Sequence, residues 1–328
     1  MTRAVVFAYH DLGVRCLRVL LGQGIDVPLV VTHQDNPAEQ IWFASVAQHA
    51  RWHKLNVVTP DDPNSPEFLQ QLHAARPDFL FSFYYRHMLG PEVLAVAPRG
   101  AFNMHGSLLP KYRGRVPVNW AVLNGETETG ATLHAMTVKP DAGAIVDAQA
   151  VPILPDDTAG EVFRKVCVAA ELTLQRALPA LIAGNAALRA QNLAAGSYFG
   201  GRSAADGAID WRLGVRAVHN LVRAVAPPFP GAYALAGGMG LRILRTLCTP
   251  DPELARPAAV APAAVALAAV AQGSALPLLR WRDEEVQAQC ADGVLRLLEF
   301  ELDGTVHDAR MFRARFGDQT LPLASGQR

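Results

Sequence analysis

Over the first two hundred residues, short apolar runs alternate with amphipathic stretches, the pattern of a mainly parallel sheet with helices on its faces. Ala4-Val5-Val6-Phe7-Ala8 is unbroken and apolar, as a strand buried on both sides requires. Val14, Leu17, Leu20 and Leu21 then recur at helical spacing. Val27 to Val31 predicts a second strand, and Asn56-Val57-Val58 and Asp78 to Phe83 predict two more, each preceded by a helix. Thr158-Ala159-Gly160-Glu161 has capping-box spacing ahead of Val162, Phe163, Val166, Ala169, Ala170, Leu172 and Leu174, which predicts a long helix ending near Ala183. The fold expected is α/β, with a Rossmann-like, mostly parallel sheet.

Beyond that helix the patterning loosens. We divide the chain into a catalytic domain over 1–190, a linker over 191–212 and a smaller C-terminal domain over 213–328. Gly196, Gly200, Gly201 and Gly207 mark the linker. The smaller domain should open with a helix near Val215 to Ala226 and continue as short strands. An Ala/Pro-rich stretch near 250–280 reads as a loop insertion without chemistry. Gly293 to Phe300 alternates in part before Asp303-Gly304, predicting a terminal strand and turn.

Composition narrows the function classes. A chain of 328 residues has room for two domains, or one large and one small. Half the residues are apolar, 18% are charged and no run of about 18 or more apolar residues occurs, which argues against a membrane span and against wholesale disorder. Thirty basic and thirty acidic residues cancel, leaving no bulk electrostatic reason to expect nucleic acid or an anionic membrane as partner. Cys16, Cys167, Cys248 and Cys290 lie far apart and outside any CxxC or Cys/His spacing, so reduced, buried thiols are expected rather than disulfides or zinc. The apolar stretch before Tyr9-His10-Asp11 is too short for a signal peptide, and a cytoplasmic location is expected.

No GxGxxG follows the first strand, only Phe7-Ala8-Tyr9-His10-Asp11-Leu12-Gly13, so NAD chemistry is disfavoured. The densest cluster of unusual residues runs from Phe102 to Arg115. Asn103 and His105 are two apart and share a face if the segment is extended. An imidazole can move a proton at neutral pH and a carboxamide N–H can stabilise an oxyanion, so the pair suits acyl chemistry. Arg113 and Arg115 could hold a phosphate or carboxylate. Asp141, in Lys139-Pro140-Asp141-Ala142-Gly143, could orient His105 and favour its charged form. Each residue also has a plainer reading: Asn103 and His105 as a satisfied hydrogen-bonded pair, Asp141 as a turn residue, the arginines as solvated charge, His87 as a loop histidine. His10, His33, His87, His105 and His134 form no spaced ligand set with a carboxylate or Cys, so no metal site is expected.

Taken together, Asn103, His105, Ser107 to Pro110, Gly114, Asp141 and Gly143 resemble the signature of the 10-formyltetrahydrofolate-dependent formyltransferases, a family that includes methionyl-tRNA, glycinamide ribonucleotide and sugar N-formyltransferases. Further stretches, Val6 to Asp11, Thr32 to Pro37, Phe81 to His87, His105 to Arg115 and Asn124 to Gly130, are most similar to the branch acting on UDP-4-amino-4-deoxy-L-arabinose in lipid A modification and polymyxin resistance. The resemblance continues through Tyr198 to Arg202, Ile209 to Trp211 and Val222 to Val225 as far as Ala232, and is weak beyond about residue 235.

The resemblance implies a small C-terminal barrel-like β domain, from which the Ala/Pro-rich stretch departs. It implies 10-formyltetrahydrofolate as co-substrate, with no metal and no NAD, and a nucleotide sugar as the small-molecule partner. Asn103 would stabilise the oxyanion, His105 would relay the amine proton to the folate nitrogen, and Asp141 would raise the His105 pKa. His87, Met88 and Leu89, together with Thr137, Val138, Lys139, Pro140 and Asp141, would contact the folate largely through backbone, and Arg115 would contact the substrate. With the chain ending at Arg328, no dehydrogenase domain is expected, and any oxidative step would fall to another protein. Another nucleotide-linked amino sugar stays open as substrate. Methionyl-tRNA formylation is disfavoured because His33 to Ala44 contains Asp35 and Glu39 and no Lys or Arg. A folate-binding module without the reaction is disfavoured because all three catalytic residues are present.

Overall fold

The computed structural model of the chain describes residues 1–248 and 277–326, which fall into two compact units. The Ala/Pro-rich stretch lies outside the described residues up to 276, and its expected end is strand from Leu278 onward.

The first unit comprises Met1–Val118, Glu128–Pro152 and Val162–Gly201. Its sheet holds β1 (Arg3–Ala8), β2 (Asp26–Val31), β3 (Val57–Val58), β4 (Phe79–Phe83), β5 (Ala101–His105), β7 (Glu128–Ala135) and β8 (Ile145–Pro152), in the order β3-β2-β1-β4-β5-β7-β8. The first five strands are parallel, and β7 and β8 are antiparallel additions. This is the Rossmann-like sheet expected. Apart from the half-buried, two-residue β3, the strands of the parallel part are largely buried on both faces, β4 at every position. Alternate residues Val5 and Phe7 of β1 and Leu29 and Val31 of β2 join one hydrophobic cluster with Phe68 and Leu72 of α3 (Pro66–Ala75). Ser65 caps that helix by accepting the Phe68 N–H at 3.2 Å, with Pro66 at its first position. A short β6 (Arg113–Gly114) pairs in parallel with β9 (Tyr198–Phe199) from the expected linker.

Where a dinucleotide-binding fold keeps glycines, this chain places side chains. His10 opens α1 (His10–Gly22) with a φ of 68°. Its ring stacks on Phe43 at 3.9 Å, with Trp42, Tyr84 and Phe163 around it. Burial pulls its pKa down to about 3, so it packs as a neutral aromatic ring.

The predicted capping box is present: Thr158 and Glu161 exchange side chain to backbone hydrogen bonds, at 2.7 and 3.3 Å, at the start of α6 (Ala159–Ala183). By length and composition α6 could cross a membrane, but half of its most apolar stretch is buried inside the fold.

The second unit comprises Asn119–Thr127, Ile153–Glu161 and Arg202–Arg328. Its strands are β10 (Ala232–Ala236), β11 (Met239–Leu247), β12 (Leu278–Arg282), β13 (Glu285–Cys290), β14 (Gly293–Leu302), β15 (Thr305–His307) and β16 (Leu321–Ser325). They run in the order β11-β10-β16-β12-β13-β14-β15, and a further β11–β14 pairing closes an antiparallel barrel of six strands with β15 attached outside the ring. Helix α7 (Val215–Val225) buries Val218 and Val222 against the barrel core.

One expectation is corrected here. Gly293 to Phe300 does form a strand and turns at Asp303-Gly304, but the strand is a central one. The chain goes on through β15, α8 (Ala309–Phe316) and β16. That strand was hidden because Leu321-Pro322-Leu323 is short and carries a proline, which weakens any strand reading. In this unit Arg223 is buried and reaches outward as a staple. Its Nε donates to Asn220 Oδ1 at 2.9 Å, and its Nη atoms point to the carbonyls of Leu154, Asp157 and Val122 at 3.3 to 3.5 Å.

Candidate active site

Strand alternation puts Asn103 and His105 on one face of β5. The antiparallel register sets Asn103 opposite His134 and His105 opposite Thr132 on β7. Asp141 arrives from the turn after β7, in left-handed backbone with a φ of 50°. Its Oδ1 lies 3.5 Å from His105 Nδ1, 3.5 Å from His134 Nε2 and 3.5 Å from Asn103 Nδ2, while Oδ2 accepts the Gly114 N–H at 2.9 Å. The structure therefore gathers Asn103, His105 and Asp141 into one cluster.

The loop after β5 completes it. Ser107 Oγ donates to the Lys111 carbonyl at 2.7 Å, and Thr132 Oγ1 donates to the Ser107 carbonyl at 2.6 Å and accepts the Leu109 N–H at 3.2 Å. So pinned, the loop delivers the Tyr112 carbonyl to His105 Nε2 at 2.7 Å. A carbonyl can only accept, so Nε2 carries the proton and Nδ1 faces Asp141.

Burial lowers the His105 pKa; Asp141 and the Tyr112 carbonyl pull it up without overcoming burial, and His134 adds a smaller downward push. Asp141 therefore pulls toward the charged imidazole, but His105 is 6% exposed and burial sets the net direction. His105 rests neutral at pH 7 and accepts a proton before it donates one. Burial alone would raise the Asp141 pKa, but the nearby imidazoles and the Gly114 N–H hold its carboxyl well below the ordinary range.

Asp141→Asn removes the largest upward pull on His105, so the His105 pKa should fall further. A histidine titration by NMR, or the acid limb of the kcat/KM profile, should move to lower pH in this variant. No movement, or a rise, would contradict the electrostatics described here.

Two residues that matter here had little or no signal in the sequence. His134 enters the sequence reading only as a metal-ligand candidate. The structure sets its Nδ1 against the Ala135 carbonyl at 2.8 Å and its Nε2 against Asn103 Nδ2 at 3.2 Å, so it fixes the orientation of the Asn103 carboxamide. A buried histidine within an apolar strand was the available clue. Gln191, fifty positions from Asp141 and within the expected linker, donates through Nε2 to the Asp141 carbonyl at 3.0 Å and to the Gly143 carbonyl at 2.6 Å. Nothing local in the sequence marks it.

The other expected site residues lie on two loops and a strand end. Leu89 is buried, whereas His87 and Met88 are exposed. Thr137, Val138 and Lys139 are exposed and Pro140 is half-buried. The roots of the two loops rest on one core, since Leu89 belongs to the cluster against which Met136 packs. Arg115 is exposed, with its N–H on the Phe199 carbonyl at 3.0 Å. Arg113, by contrast, is 9% exposed, and its Nε has no hydrogen-bond partner among the described residues.

Comparisons with known proteins bear on the family and the fold. The formyl transferase family profile matches residues 16–178, and that of the formyl transferase C-terminal domain matches residues 202–315. Among solved structures, an N-formyltransferase from Helicobacter canadensis, in complex with folinic acid and dTDP-3-aminofucose, is similar with a TM-score of 0.67 at 19% identity, over 90% of this chain and 98% of that one. WlaRD, a sugar 3N-formyl transferase solved with dTDP and 5-N-formyl-THF, gives 0.66 at 18% identity, over 90% and 97%. Glycinamide ribonucleotide transformylase 1 from Symbiobacterium toebii gives 0.51 at 21% identity, over 58% of this chain and 95% of that one. These likenesses speak for the fold. The two profiles together span most of the sequence, and the chain belongs to the formyl transferase family.

Proposed function

We propose that the chain transfers the formyl group of 10-formyltetrahydrofolate to the amine of UDP-4-amino-4-deoxy-L-arabinose, in the cytoplasm and in the service of lipid A modification. The observation that carries this reading is the convergence of Asn103, His105 and Asp141 beside the pinned loop of residues 107–112. Relatives solved with folinic acid or 5-N-formyl-THF and with dTDP or a dTDP-linked amino sugar support the substrate classes. The choice of the arabinose rests on the stretches quoted from the sequence.

The overall step forms a bond from the sugar amine to the formyl carbon and breaks the bond from that carbon to folate N10. The amine proton ends on N10, and no net oxidation occurs. Asn103 directs an amide N–H toward the oxyanion of the tetrahedral species. Neutral His105 takes the amine proton at Nδ1, where Asp141 Oδ1 and the Tyr112 carbonyl then flank the imidazolium, and passes it to the leaving nitrogen. Met88 and Val138, 58% and 67% exposed, present apolar side chains on the two loops assigned to the folate, which fits a flat heterocycle.

Arg115 would hold the nucleotide phosphates through its guanidinium. The test is a mass-spectrometric assay with 10-formyltetrahydrofolate, UDP-4-amino-4-deoxy-L-arabinose and a panel of other nucleotide-linked amino sugars. Formylated arabinose should form with wild type and vanish in His105→Ala. Arg115→Glu should raise the nucleotide-sugar KM about tenfold or more and leave the folate KM near wild type. Formylation of a different sugar would move the substrate and keep the mechanism. No formylation of any sugar would overturn the reading.

A further inference from the structure

We propose that Asn64 is a positioning residue for the loop Met88-Leu89-Gly90, its carboxamide holding that backbone in the shape that receives the folate. The inference rests on the reading that residues 87–89 contact the folate.

Asn64 lies between β3 and α3, remote in sequence from the loop. Its Nδ2 donates to the Met88 carbonyl at 3.0 Å, and its Oδ1 accepts the Gly90 N–H at 2.6 Å. A carboxamide that meets the C=O of one residue and the N–H of the residue two further on reproduces the pairing a neighbouring strand would supply. Only one orientation of the amide satisfies both partners, since the reverse would oppose two donors at Gly90 and two acceptors at Met88.

Asn64 is itself held. Asp62 Oδ1 accepts its backbone N–H at 2.8 Å and its Nδ2 at 3.3 Å, and Ser65 next to it caps α3. Between the two clamped positions, Leu89 turns inward onto the cluster containing Phe68 and Leu72 of the same helix. Core packing and side-chain clamp thus fix alternate residues of the loop from opposite sides. Met88 keeps its carbonyl on Asn64 and its side chain outward. Gly90 leaves the room, because a Cβ there would stand 3.1 Å from Asn64 Oδ1. Gln191 braces the turn that follows the second loop by donation alone, its Nε2 meeting the Asp141 and Gly143 carbonyls, so a distant carboxamide holds backbone at alternate residues in both places.

A loop ordered in advance loses less freedom when ligand binds. Asn64→Ala removes both arms. Asn64→Asp keeps the acceptor for Gly90 but turns a carboxylate oxygen toward the Met88 carbonyl. Both variants should raise the KM for 10-formyltetrahydrofolate about tenfold, with kcat at saturation and the amino-sugar KM moving less than about twofold. A residue that served stability alone would lower Tm and leave this split absent.

Hydrogen exchange of the peptide spanning residues 84–90, with 5-formyltetrahydrofolate as probe, separates the two ways of failing. The peptide should exchange faster in free Asn64→Ala than in free wild type, and in wild type it should gain protection when the probe binds. Protection in wild type with an unchanged folate KM in both variants would overturn the positioning role alone. No protection in wild type would overturn the assignment of the loop, and the positioning role with it. If Asn64→Ala does not fold, Asn64→Asp answers the same questions.

Discussion

Replacing Asn103 with alanine is expected to lower kcat by about 100- to 1000-fold, the loss found when an oxyanion donor is deleted. His134 Nδ1 donates to the Ala135 carbonyl, which leaves Nε2 to accept from Asn103 Nδ2. That contact turns the amide nitrogen, and not the oxygen, toward the cluster. Among the described residues the second N–H of the same nitrogen meets only Asp141 Oδ1, at 3.5 Å, too far for a good hydrogen bond. In the proposed mechanism it is the N–H that a developing oxyanion takes up. Steady-state kinetics at saturating substrates, with Tm as the check on folding, decide the matter. Turnover within about threefold of wild type, in a folded protein, would remove Asn103 from the mechanism.

Gly143→Ala is expected to cost nearly as much, for a steric reason. A Cβ at Gly143 would stand 1.9 Å from the Ala135 carbonyl oxygen and 2.8 Å from its carbon. Both atoms are backbone, and the same peptide region is tied by the Ala135 N–H to the Ala144 carbonyl at 2.8 Å. The added methyl must therefore shift the turn that carries Asp141. A misplacement of about 1 Å at a catalytic group costs on the order of 100-fold in rate. We expect a loss of that size in kcat, with β7 and β8 still paired and the circular dichroism unchanged. Near-normal turnover would mean that the turn can yield without moving the carboxylate. The glycine two residues after the aspartate is thus explained by close approach of the turn to the end of β7 rather than by a left-handed backbone.

The parallel strands and α6 were legible in the sequence because each is a run or a period that a single segment displays. The cluster of Asn103 and His105 was legible for the same reason, being two positions on one strand. Gln191 and Asn64 were not legible, since each acts on backbone atoms far away in the chain and no local pattern records that. The resting charge of His105 is not legible in the sequence, because a carboxylate shows there as Asp141, whereas burial does not show at all. Arg113 is the same case, a side chain that looked solvent-bound and is enclosed.

The barrel unit is not a module that can be inherited whole from the end of the chain. It draws in residues 119–127 and 153–161 as well as 202–328. Leu123 packs on its core, Asn119 Nδ2 donates to the Ala224 carbonyl at 2.8 Å, and three of the carbonyls around Arg223 belong to the two early segments. A gene fragment starting at residue 202 would encode an incomplete core and an Arg223 left with Asn220 Oδ1 but without these three backbone acceptors. Recombination that exchanges this unit between relatives must carry three separate pieces of sequence, so a crossover within the linker should yield insoluble chimeras.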